Sequence, residues 1–254
     1  MQLNKTVWLL WLQGWDKAPW LQQKVLESWR HNNPSWNIVL LTHENLKNYI
    51  TDIPYLYDPR KMITAQAASD IIRLSVLKNH GGVWADSTML CMQPLDNWIN
   101  AETMAGGLWM YHGGGGGMPE TEGPASWFIV SEANGLMIRK WKAACDEYWT
   151  ARSRAHEYFW MDGLFKRLYE TDPDFKATWL KAPNICCEAK GQAHALAYTL
   201  FENTPELKEL ITKSPPYAFK LSKNWTLRYK NELPPEAELT NGYYAIQMSK
   251  RTIA

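Results

Sequence analysis

The sequence predicts an α/β fold with a mostly parallel central sheet flanked by helices, and three observations carry that prediction. Strand and helix patterns alternate through the first fifty residues, the opening of a nucleotide-binding α/β fold. A run from about Met62 to Asn79 then follows, apolar on nearly all sides, and a helix of that kind lies buried. It ends at Gly81-Gly82, where a short strand, Val83-Trp84-Ala85, runs out onto Asp86.

Taken in order, Val7 to Leu12 reads as a buried first strand, closed by Gln13-Gly14. Pro19 suits the first turn of a helix running to about Asn32, with Leu21, Val25 and Trp29 as its inner stripe. Asn33-Pro34-Ser35 turns the chain into a second strand, Ile38 to Leu41. Thr42 is placed to cap a helix carrying Leu46 and Tyr49. Pro54 to Pro59 is a loop before the buried helix, and Met89 to Met92 is a short strand beyond Asp86.

Five consecutive glycines, Gly113 to Gly117, hold no single conformation and predict a mobile surface loop able to gate a substrate. Strand-like Trp127 to Val130 keeps that loop within one domain. Helices are expected from Leu136 to Trp149, from His156 to Tyr169, over residues 173 to 181, in a stretch reaching Glu202, and from Pro205 to Lys213. The tail, with Tyr217 to Leu221, Trp225 to Tyr229 and Tyr243 to Met248, reads as loop and strand.

The balance of 27 basic and 26 acidic residues gives a net charge of +1, so no global field favours nucleic acid, and no long basic run supplies a local one. Fifteen tryptophans and twelve tyrosines offer flat apolar faces with polar tips, which suits stacking on sugar rings. Cys91, Cys145, Cys186 and Cys187 show neither zinc-ligand spacing nor a disulfide framework; reduced thiols in a cytoplasmic protein are the simplest account. The six-residue apolar run near the N-terminus is too short for a signal peptide or a membrane span.

The chemistry concentrates in AQAASDIIRLSVLKNHGGVWADST, residues 65 to 88. Asp70 and Arg73 lie three apart, on one helix face, where they must pair or serve a ligand. Asp86 closes a strand at its carboxyl end, the side on which open α/β sheets bind ligands.

This segment resembles the donor-sugar site of GT-A glycosyltransferases, particularly glycosyltransferase family 32 and the capsular polysaccharide synthesis proteins. AASDIIRL is similar to their Ala-Ser-Asp-Ile-X-Arg helix, and GGVWADST to their Gly-Gly-X-Tyr/Trp-X-Asp-X-Asp loop. The resemblance implies a GT-A-like fold over residues 1–254 as one domain. Residues 1–100 would form its nucleotide-sugar half and residues 101–254 its acceptor side. It further implies transfer of a sugar from a UDP- or GDP-linked donor to a glycan or glycoconjugate acceptor, metal-assisted and with retention of configuration. In that pattern Asp70 and Arg73 hold the donor sugar, and Asp86 with Ser87 meets the ribose. Asp86 and Thr88 would hold Mn2+ or Mg2+; Thr88 stands where the family has a second Asp, a weaker ligand than carboxylate. An inactive nucleotide-sugar or carbohydrate-binding protein on the same fold is the alternative that this replacement favours.

Further candidates lie outside the segment. Trp11 and Gln13, at the end of the first strand, occupy the position that lines the family's nucleotide pocket. Lys220-Leu221-Ser222-Lys223-Asn224-Trp225 offers two lysines, a hydroxyl and an indole for a diphosphate, with Lys223 and Trp225 the donor contacts expected. Asp162, among Tyr158, Phe159, Trp160 and Phe165, should have a raised pKa if dry, and would orient or deprotonate an acceptor hydroxyl. Of the six histidines none shows metal spacing, and His194 alone is a candidate for a late metal or phosphate contact. No nucleophile elbow, P-loop or His-Glu-X-X-His is present.

Overall fold

The computed structural model describes residues 3–113, 118 and 123–251; of the expected glycine-loop gate, Gly113 to Gly117, all but Gly113 lie outside them. The strands are β1 (Thr6–Leu10), β2 (Asn37–Leu41), β3 (Gly82–Ala85), β4 (Met89–Cys91), β5 (Leu108–His112), β6 (Pro124–Ser131) and β7 (Ala218–Lys220). Helices α1 (Trp20–Asn32), α2 (Ala65–His80), α3 (Leu136–Ala151), α4 (Trp160–Thr171) and α5 (Pro173–Trp179) are joined by α6 (Ala195–Thr199), α7 (Pro205–Lys213), α8 (Asn224–Tyr229) and α9 (Asn241–Met248).

The central sheet has the order β2-β1-β3-β6-β5. β1 pairs parallel with β2 and β3, while β6 pairs antiparallel with β3 and β5. Four strands therefore point one way and β6 the other, so the sheet is mostly parallel. Because β5 and β6 join it, strands from before and after residue 100 share one sheet.

Alternation along the strands builds two cores. Val7, Leu9, Val83, Phe128 and Val130 face α1, whose Leu21, Val25 and Trp29 are fully buried. Trp8, Leu10, Trp84 and Ile129 face the opposite way, toward α2, α3 and α4. The largely apolar α2 thus has a sheet on one side and α3 on another, and Thr64 caps its start by accepting the Ala67 N–H. Gly81 and Gly82 turn it into β3 at φ +66° and +97°, and a Cβ on Gly82 would lie 2.4 Å from the Thr6 carbonyl oxygen. Only glycine allows β1 and β3 to pair there.

Several expectations are corrected. The helix after Thr42 is a single 3-10 turn, Leu46–Asn48. Asn45 folds back to accept the Thr42 N–H and donate to the Leu40 carbonyl, an alternative to helical bonding. The helix expected from His156 starts at Trp160, because the Tyr148 hydroxyl accepts the His156 N–H and leaves Tyr158 and Phe159 exposed. Trp225 to Tyr229 and Tyr243 to Met248 are helical: Trp225 and Tyr229 are buried four apart with Leu227 exposed between them, and Thr240 caps α9. β5 was not foreseen, and β4 leaves the main sheet to pair with β7. Among the described residues no helix is long and apolar enough to cross a membrane.

Candidate active site

Chain geometry brings the acids of residues 65–88 together. Seven residues of α2 from Arg73 to His80 span about 10 Å, and four of β3 after the turn climb about 13 Å. Asp86 therefore returns to the level of Arg73. The partner strands open at the same end: the Asp86 N–H donates to the Trp127 carbonyl at 2.9 Å, and β1 leaves the sheet there toward Trp11.

Around Asp86 lies a cleft of about 220 Å³ lined by both aromatic and charged side chains. Arg73, buried, is its hub. The guanidinium pairs with Asp70 at 3.2 Å and Asp86 at 3.0 Å, donates to the Ser126 hydroxyl at 3.1 Å, and lies over the Trp84 ring. Trp84 also donates to the Asp86 Oδ1 at 3.0 Å. From the far end of the chain, Lys220 reaches the Asp86 Oδ2 at 2.8 Å. The pairing of β7 with β4 sets that reach, since Met89 stands opposite Lys220 and the Leu221 N–H donates to the Thr88 carbonyl.

The carboxyls divide by environment. Burial alone would raise Asp86, but Lys220 and Arg73 outweigh it and hold the group below its ordinary value. Burial raises Asp70 to about 6, with Arg73 opposing and the Asp86 charge adding to the rise. Asp162, in the first turn of α4, is raised to about 7 by burial and by the Asp70 charge. It accepts from the Ser126 hydroxyl, while its Oδ1 is buried with no hydrogen-bond partner among the described residues. A buried oxygen of this kind is costly unless something else meets it.

Of the expected site residues, Asp70, Arg73, Asp86 and Asp162 converge on this cleft, and the others do not. Ser87 and Thr88 occupy the turn closed by the Met89 N–H on the Asp86 carbonyl, and neither lines the cleft. Gln13 and Lys223 are exposed elsewhere, and Trp11 packs half-buried against the α1-side core, its indole N–H without a hydrogen-bond partner among the described residues. Trp225 is 1% exposed and stacks with Trp20 and Phe201, so its faces serve the core. Sequence reasoning passed over Ser126, Trp127 and the exposed Tyr158 and Phe159 as cleft walls, and chose Lys223 over Lys220. Local sequence offers no signal that separates the two lysines; the β7 pairing does.

A divalent cation of the Mn2+ or Mg2+ kind needs several oxygen ligands. Asp86 offers one carboxylate whose oxygens already accept from Trp84, Arg73 and Lys220, and two of those donors are cationic. A dication there would meet two cations, and the nearest other carboxylate, Asp70, is itself paired with Arg73. These residues do not fit a cation held as an Asp-X-Asp loop would hold it.

A larger groove, of about 480 Å³, lies along α7 beside Lys190 and Gly191, but no buried charge faces it. The cleft at Asp86 is where acid, base and aromatic surface meet.

Several known glycosyltransferases are similar to this chain. The chain is 28% identical over 180 residues to glycosyltransferase afumC of Aspergillus fumigatus, covering 61% of this chain and 40% of that protein. It is 23% identical over 165 residues to O-glycosyltransferase braB of Annulohypoxylon truncatum, covering 58% and 38%. The match thus takes in about two fifths of each relative's length. Among solved structures, PaToxG glycosyltransferase superposes with a TM-score of 0.44 at 18% identity, over 98% of this chain and 86% of that one. The profile of the capsular polysaccharide synthesis protein family matches residues 1–232. The chain belongs to that family.

Proposed function

We propose that this protein is a glycosyltransferase that moves a sugar from a UDP- or GDP-linked donor to a glycan or glycoconjugate acceptor, and that the cleft around Asp86 is its donor site. Family membership and the two fungal relatives support the reaction class. One observation carries the placement: Asp70, Arg73, Asp86 and Lys220 form a single charge network at the carboxyl ends of the parallel strands.

The network suits transfer from a nucleoside diphosphate. Carboxylates accept hydroxyl hydrogen bonds, so Asp70 and Asp86 meet hydroxyls of the donor sugar and ribose. The leaving diphosphate gains negative charge as the glycosidic bond breaks, and fixed cations stabilise it. Lys220, the more exposed of the two cations, takes that role, with Arg73 orienting Asp86 behind it. No step in this scheme passes through a metal ion. Tyr158 and Phe159, exposed at the cleft, offer faces for a sugar ring.

Asp162 serves the acceptor. With a pKa near 7 its carboxylate is matched to take a proton from an attacking hydroxyl, the role of a base in an inverting transfer. If configuration is retained, as the family resemblance implies, Asp162 orients that hydroxyl instead. NMR of the product's anomeric proton separates the two. The unpartnered oxygen of Asp162 is free to accept from that hydroxyl.

Calorimetric titration with UDP, GDP and their sugars tests the assignment. Asp86→Ala should abolish donor binding while leaving the fold intact by circular dichroism. Undiminished affinity in that variant would remove Asp86 from the donor site.

A further inference from the structure

Beyond the cleft, a second cluster of metal-ligating side chains stands in the loop between α5 and α6. Cys187, Glu188 and His194 place one ligand atom each within 4.8 Å of one another. The Cys187 Sγ is 3.6 Å from the His194 Nδ1, and the same nitrogen meets the Glu188 carboxylate. Around tetrahedral zinc, bond lengths of about 2.3 Å to sulfur and about 2.0–2.1 Å to nitrogen set those two atoms about 3.5 Å apart. The thiol and imidazole are therefore already spaced as ligands. Glu188 is partly exposed and free to retreat the short way needed to admit an ion.

The backbone holds this arrangement ready. Cys187 is fully buried and its N–H donates to the His112 carbonyl at 2.8 Å, fastening one end of the loop to β5. The His194 N–H donates back to the Cys187 carbonyl at 3.0 Å, and the Lys220 N–H donates to the Ala193 carbonyl at 2.7 Å, fastening the other end to β7. Six residues intervene between the cysteine and the histidine, yet the loop closes on itself and returns the ring to the thiol. The neighbouring cavity, of about 300 Å³ and lined by Glu188, His194 and Tyr198, leaves room for a water as fourth ligand.

We propose that Cys187, Glu188 and His194 form a zinc-class metal site, with water in the fourth position, that braces the loop packed behind Trp127 and bonded to β7. Sulfur and nitrogen ligands select zinc over the oxygen-seeking Mg2+, Mn2+ or Ca2+. The site is separate from the Asp86 network, and its function is structural. The His194 ring lies 5.1 Å from that of Trp127, which lines the cleft, and the same loop anchors the strand bearing Lys220. The ion would tie both into place.

The experiment reads the metal directly. Full-length protein purified without chelator is analysed for zinc, then stripped and titrated with Co2+. We expect one zinc per chain, a thiolate-to-cobalt charge-transfer band and the intense visible bands of tetrahedral cobalt. Cys187→Ser should abolish the charge-transfer band, while Cys186→Ser and Asp86→Asn keep it. Since Cys187 is buried and its variant can misfold, exposed Glu188→Gln is the second probe. It should weaken Co2+ binding by more than the about 10- to 100-fold that loss of a second-shell partner costs. Weak pink octahedral cobalt, or a spectrum and affinity unchanged in Glu188→Gln, would overturn the site. Because no donor or acceptor enters the measurement, it stands or falls apart from the transferase reading.

Discussion

Lys220→Met is the substitution that bears hardest on how the cleft handles charge. Methionine keeps an unbranched stem beside Trp127 and deletes the ammonium that donates to the Asp86 Oδ2 at 2.8 Å. Charged hydrogen bonds contribute about 1.5–3 kcal/mol each. If Lys220 transfers such a bond to the diphosphate, its loss weakens UDP or GDP binding by about 10- to 100-fold, at about 1.4 kcal/mol per tenfold. The deletion also uncovers one oxygen of Asp86 and removes one of the two cations that oppose a metal there. Mn2+ should therefore help the variant more than the native protein. The assay is calorimetric titration of UDP and GDP in EDTA and in Mn2+, on both proteins. Expected is binding by the native protein in EDTA, weak binding by Lys220→Met in EDTA, and partial rescue of the variant by Mn2+. Native protein that binds only with Mn2+, together with an unaffected variant, would refute the assignment of diphosphate neutralisation to lysine.

Three further outcomes follow from the same geometry. Asp162 is raised to about 7 against an unfolded value near 4, so the native state holds the extra proton between those pH values. Its contribution to stability is full below about pH 4 and is lost as pH rises through about 7. Asp162→Asn should flatten the fall of melting temperature across that window, leaving the smaller slope due to Asp70, and should remove the rise in transfer rate through about pH 7; parallel curves for both proteins would count against it. Gly82→Ala forces a Cβ to 2.4 Å from the Thr6 carbonyl at φ +97°, so urea unfolding should show a loss of about 1–3 kcal/mol or more, and a neutral result would mean β1 and β3 can separate. Trp225→Ala should cost about 3–5 kcal/mol as a core deletion while the folded fraction keeps its affinity for UDP or GDP, the opposite of what a base-stacking residue would show.

How much of this was legible follows from sequence distance. Asp70, Arg73 and Asp86 lie within seventeen residues joined by a glycine turn, and periodicity alone returns them to one level. Lys220 lies 134 residues from Asp86 and arrives through a three-residue strand, too short to carry a pattern. Aromatic residues misled for a related reason: an indole that packs and an indole that binds look alike in sequence. The spacing of Trp225 and Tyr229, four apart, was the helical signal that a strand reading passed over. His194 stood out as a candidate metal contact, but its pairing with Cys187 escaped, because that meeting is made by backbone hydrogen bonds to β5 and β7, which no local motif records.

The most instructive departure is Thr88, and charge balance gives it a physical reason. Between about pH 6 and 7 the proton sits on Asp162 more than on Asp70, so Asp70 and Asp86 face Arg73 and Lys220, two charges against two. The native network is therefore close to neutral without a metal. A second carboxylate at position 88 would tip it negative and call for a cation to restore the balance, which is the task a dication performs beside an Asp-X-Asp loop. The Thr88 carbonyl accepts the N–H of Leu221, the residue next to Lys220, so the two positions are also bound to each other through the backbone. Restoring the carboxylate by Thr88→Asp in the Lys220→Met background, rather than in the native protein, is accordingly where a strict Mn2+ requirement for UDP or GDP binding should emerge; equal metal dependence in both backgrounds would break the link between the two residues.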